Sequence, residues 1–222
     1  RISDQRLKAE VSGFIGQEAI HSREHERLNA FLKERNIDTH VAEQSVKAGL
    51  WLLSRLPASQ QLACTTFMEH FTASLAEQLL TDEDFRRRAD PELLALWEWH
   101  ALEELEHKSV TYDVYNLIGN RWYQRLLALP LVLGSLTPGL LISWAWMVAR
   151  EGKAADWKDI AEGLSLLLGK KGFITKIMPL MPEYFARDFH PGQRDTAALE
   201  KVWREKLFGE HGELLDVWGN PG

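Results

Sequence analysis

Residues 95–110 read ALWEWHALEELEHKSV, and within eight positions they carry His100, Glu103, Glu104, Glu106 and His107. Side chains three, four and seven residues apart share one face of an α-helix. His100, Glu104 and His107 therefore form a stripe that continues Leu93 and Leu96 on the preceding turns. Alone, a Glu-x-x-His pair is a common feature of solvated helix faces. Its meaning depends on what the rest of the chain places beside it.

Two other stretches repeat the chemistry. Residues 14–29, FIGQEAIHSREHERLN, put Glu18, His21 and His25 on one stripe, continued by Leu28 and Leu32. Residues 65–75, TTFMEHFTASL, set Glu69 among Phe67, Phe71 and Leu75, in a segment that reads as a packed helix. An isolated buried carboxylate costs several kcal/mol, and several close together cannot all stay ionised. A divalent cation removes the conflict by supplying positive charge and coordination. Carboxylate and imidazole donors suit iron or manganese and also accept zinc.

The whole chain reads as helical, with no sustained period of two. Ser3 or Asp4 caps a first helix reaching about residue 35; a second runs over 41–56 and a third starts at Pro57. The TDED run at 81–84 reads as a cap with an acidic first turn. A fourth helix spans 91–117, 156–168 is amphipathic, and 196–208 forms a last helix. The tail at 209–222 reads as loose. No linker divides the chain, so 1–222 is expected to be one helical domain.

Residues 126–149 hold no charge and lie between Arg125 and Arg150, a length that suits a bilayer span. Pro130 and Pro138 interrupt the run, which favours an apolar insert or hairpin of two short helices joined near SLTPG. A buried or monotopic placement is preferred to a span. The net charge of −6 excludes a general nucleic-acid footprint. The single cysteine, Cys64, excludes a disulfide framework and a thiolate metal site, and fits a cytoplasmic setting.

These stretches together resemble the ferritin-like di-iron carboxylate superfamily, whose bundle-core site combines Glu with Glu-x-x-His. More narrowly, FIGQEAIHSREHERLN, MEHFTA and WHALEELEHKSV resemble the family described as "predicted metal-dependent hydrolase", over roughly residues 14–115 and again at DFHPG. The His100-x-x-x-Glu104-x-x-His107 spacing is also similar to that of the p-aminobenzoate N-oxygenase type, in which an extra histidine joins the metal shell. The resemblance implies an all-α, ferritin-like helical bundle with additional C-terminal helices. It implies Glu18, His21, Glu69, His100, Glu104 and His107 as ligands of two iron ions, with manganese or zinc as alternatives. The superfamily pattern begins with a glutamate helix upstream of Glu18; either that helix is missing from this sequence, or Glu10 or another group substitutes for its glutamate.

Around these ligands, His25 and Glu103 are expected beside the site rather than on the metal. His190, in DFHPG, either reaches the site mouth or stabilises a turn, and His70 is structural. From the resemblance, the expected function is an oxygen-activating di-iron oxygenase or oxidase acting with dioxygen on a small or hydrophobic organic substrate. The alternatives are a metal-dependent hydrolase using a metal-bridging water, and a non-catalytic iron-binding protein. Peripheral membrane contact through 126–149 and a homodimer complete the expectations.

Overall fold

The computed structural model describes residues 2–214, and every regular element in them is helical. Helix α1 (Gln5–Glu34) starts where the Asp4 carboxylate accepts the backbone N–H groups of Arg6 and Leu7. That bond satisfies two donors that a helix start leaves unpaired. Helix α2 (His40–Leu53) stops ahead of Pro57, and α3 (Ala58–Thr81) begins immediately after it. Asp82 caps the short α4 (Glu83–Arg86) through the Phe85 N–H, as the acidic run predicts. Helix α5 (Pro91–His107) then carries the His/Glu stripe back along α3.

The expected helix over 91–117 is broken. A turn at Lys108 and Ser109 separates α5 from α6 (Val110–Leu117). At this turn the Lys108 ammonium donates to the Arg194 carbonyl, 2.8 Å away, and to the Thr196 hydroxyl. These partners lie far along the chain, so no local pattern encodes them.

Helix α7 (Trp122–Arg150) corrects the expectation of a hairpin: it runs unbroken through Pro130 and Pro138. Both prolines face outward, and α2 packs along the opposite side. The approach is close. A Cβ on Gly49 would stand 2.7 Å from the Ser135 carbonyl oxygen, and one on Gly139 would stand 2.8 Å from Ser45. Apart from Ser143, the buried residues of α7 lie in its first half, toward the root. There the fully buried Arg125 guanidinium donates to the carbonyls of Tyr184 (2.7 Å) and Ala186 (2.9 Å). Leu140, Leu141 and Ile142 farther out are exposed, so of the buried and monotopic placements preferred above, the buried one does not hold for this outer part. It is long and apolar enough to cross a membrane.

Asp156 caps α8 (Trp157–Leu168), none of whose residues is buried. Helix α9 (Phe173–Ile177) and a 3-10 segment (Met178–Phe185) wrap back over α3, and α10 (Ala197–Phe208) packs on α5. Part of the expected loose tail is packed: Leu214 is buried and its N–H donates to the Leu207 carbonyl. The remainder of that tail, 215–222, lies outside the described residues.

Two apolar clusters hold the bundle together. One joins Phe67 of α3 to Tyr112, Tyr115 and Tyr184. The other joins Trp99, Leu102 and Leu105 of α5 to Trp203 and Leu207 of α10. Glu98 is buried beside this second cluster and is neutralised by Lys206 at 3.0 Å and Arg86 at 3.5 Å.

Candidate metal centre

Helices α1 and α5 turn their mixed stripes toward each other. Glu18, His21, Glu104 and His107 each offer a donor atom, and these atoms lie within 4.8 Å of one another. Glu18 Oε1 stands 3.6 Å from His21 Nδ1 and 3.4 Å from His107 Nε2, and Glu104 Oε1 stands 3.8 Å from His21 Nδ1. His21, Glu104 and His107 are buried, whereas the Glu18 side chain is 41 % exposed. Water therefore reaches the cluster on the Glu18 side.

The two outward ring nitrogens are held by carboxylates. His21 Nε2 is 2.8 Å from Glu103 Oε2, and His107 Nδ1 is 3.1 Å from Glu69 Oε2. A neutral imidazole that donates from one nitrogen presents a lone pair on the other. In each ring the remaining nitrogen, Nδ1 of His21 and Nε2 of His107, is buried and makes no hydrogen bond among the described residues. Both face the Glu18 carboxylate. Buried polar atoms without a partner are rare in folded proteins. Two of them, each backed by a carboxylate, reproduce the carboxylate–histidine–metal arrangement that orients ligating histidines. The donor set fits a divalent cation.

The remaining candidates take distinct places. His100 Nε2 lies 3.0 Å from Glu104 Oε1, and its ring stacks on His21 with centroids 4.0 Å apart. Glu69, read from sequence as a ligand, stands behind His107 on its outer nitrogen. Glu103 occupies the corresponding place behind His21. His25 lies edge-on to His100 at 5.1 Å, outside the cluster. His190 uses both nitrogens elsewhere, Nε2 with Asp113 at 2.9 Å and Nδ1 accepting the Gly192 N–H at 3.0 Å. Of its two expected roles it has the turn-stabilising one. His70 is likewise structural, with Nε2 3.1 Å from the Leu180 carbonyl. Glu10 pairs with Arg6 on the exposed start of α1 and does not replace a first glutamate.

Sequence reasoning missed the ring contacts that close the site. Phe14 meets His107 edge-on at 4.9 Å, and Trp99 meets His21 at 5.2 Å. Phe14 lies one turn before Glu18 on the same stripe, so its position was readable. Trp99 and Trp97 flank Glu98 on the site helix, a spacing that already offers them as pocket walls; what the sequence does not give is the ring that Trp99 meets, His21.

The carboxylates around the two rings favour their protonated forms. The His21 imidazole is pushed up to about 9: burial opposes its charge, but Glu103 and Glu18 together outweigh burial. His107 is raised for the same reason, with Glu69 overcoming burial. Burial pushes the Glu69 carboxyl up despite His107. Glu104 is held below the usual carboxylate range, because His100 and His107 prevail over its burial.

Among known proteins, the family model described as "Predicted metal-dependent hydrolase" matches residues 1–195. No curated protein matches, and no solved structure does.

Proposed function

The chain belongs to the predicted metal-dependent hydrolase family, and from that premise we propose that it binds a divalent metal between α1 and α5 and hydrolyses an ester or amide there. The single observation behind this reading is the pair of inward, unpartnered nitrogens on His21 and His107, each fixed from behind by a carboxylate. Glu18, His21, Glu104 and His107 would hold the metal. When bound, such a metal acidifies water toward neutral pH and polarises a carbonyl oxygen. The protein's own contribution is orientation. Glu103 and Glu69 fix the tautomers, and Phe14 and Trp99 exclude water from the rings. Glu18, on the open side, is where solvent meets the cluster.

A second reading, oxygen activation by a pair of iron ions, draws support from His100. It adds a third imidazole to the carboxylate set, next to Glu104. Metal analysis of the purified chain, with ester hydrolysis and oxygen consumption followed in parallel, separates the two. Hydrolysis with zinc or manganese and no oxygen uptake supports the first. Oxygen uptake with two irons per chain and no hydrolysis replaces it with the second. Absence of metal, with His107→Ala indistinguishable from the parent, removes both.

The same proposal includes contact with a lipid surface. Leu164, Leu167, Leu168 and Trp157 form one exposed stripe on α8, while Glu162 and Ser165 on its other side line a cleft with Asp82 and Arg88. The amphipathic helix thus turns its apolar side away from the protein, with Lys170 and Lys171 exposed at its end. Flotation with anionic liposomes tests this contact; a chain left at the bottom of the gradient overturns it.

A further inference from the structure

An apolar groove of about 380 Å³ opens between α3 and α5, and its lining includes His100 and Glu104. That volume is within the range of small-molecule sites. Leu75, Ala76 and Leu79 line it from α3, and Leu94 and Ala101 from α5. On α3 these are the i, i+1 and i+4 positions of one face, so the groove follows the helix axes. From residue 94 to residue 104 of α5, at 1.5 Å per residue, it extends about 15 Å. Thr72, which sits by Glu104, marks the polar end. At the other end stand Phe85 and Phe173, stacked with centroids 4.1 Å apart.

We propose that this groove binds an alkyl chain, and that the substrate is a molecule whose functional group rests at His100 and Glu104 with its chain running toward the Phe85–Phe173 pair. The substrate assignment rests on the metal-dependent reading above; the chain-binding groove does not. The length and the apolar walls select the ligand. A compact polar substrate would leave the apolar walls wet, whereas each buried methylene contributes about 0.8 kcal/mol. The ionisable side chains of the lining, His100 and Glu104, lie at one end, so they fix which end of the ligand carries the reacting group.

The test uses n-alkanols of increasing length and calorimetric titration of the metal-free full chain, so no turnover is needed. In a groove closed at its far end, affinity rises by about tenfold for every two methylenes and then levels off. Leu79→Trp, which fills the end remote from Glu104, moves that plateau to a shorter chain and leaves the shortest binders unchanged. Leu79 is half-buried, and circular dichroism verifies the fold; Leu75→Phe is the milder alternative, narrowing the middle. Affinity that rises without a plateau, or a plateau unmoved by both variants, places binding outside the groove and overturns the proposal. So does absence of binding. A chain that shows the plateau but takes up no metal retains the groove and loses the hydrolase reading. A chain that takes up metal without binding alkanols does the reverse.

Discussion

At the scale of single residues, the decisive feature is the His21 ring, set between the Glu103 and Glu18 carboxylates. Against the cost of burial, Glu103 and Glu18 push the folded ring up to about 9, above an ordinary histidine near 6.5. In the metal-free chain its ion pairs stabilise the fold fully below about 6.5, and that contribution is lost as pH rises toward 9. Metal binding has the opposite sign, because a ligating imidazole must give up its proton. The thermal shift produced by metal should therefore grow from pH 6.5 to pH 9, and differential scanning calorimetry with and without metal measures it. In the proposed centre Glu103 and Glu69 would act on the metal through the rings. Glu103→Ala and Glu69→Ala should each weaken metal affinity by roughly 10–100-fold, read by competition with a chelating dye.

At the scale of elements, α2 and α7 depend on two glycines. Gly49 permits a contact in which any Cβ would meet the Ser135 carbonyl oxygen and the Leu136 side chain. Overpacking of this kind costs about 1–3 kcal/mol. Gly49→Ala should lower the urea midpoint accordingly and leave metal content unchanged, since neither helix supplies a ligand. Gly13→Ala, where nothing lies within 4 Å, is the control. It should stabilise α1 by up to about 1 kcal/mol, the ordinary helix preference of alanine over glycine.

At the scale of the molecule, the centre ties α1 to α5, with α3 behind through Glu69. A metal that binds only the folded arrangement stabilises all of it, by about 2.7 kcal/mol when free metal is a hundred times Kd. The melting temperature should rise on loading, fall again with a chelator, and barely respond in His107→Ala. Equal shifts in parent and variant would place the metal elsewhere. The exposed apolar faces of α7 and α8 lie outside this coupling, so their contacts should leave the metal-dependent shift intact.

The sequence by itself determined that the chain is helical, because hydrophobic periodicity and caps such as Asp4, Asp82 and Asp156 act over a turn or two. It also determined that Glu18, His21, Glu104 and His107 share their chemistry, because a spacing of three puts each Glu–His pair on one stripe of its helix. Tertiary structure alone decided which carboxylate faces which nitrogen. Helical spacing already separates Glu104 from its neighbour Glu103; that Glu103 backs His21 Nε2 and Glu69 backs His107 Nδ1 is fixed by how α1 and α3 pack against α5. Likewise the break at Lys108 and the straight course of α7 through its prolines depend on contacts with distant segments. Periodicity reports which face of a helix is apolar; only packing fixes what that face meets.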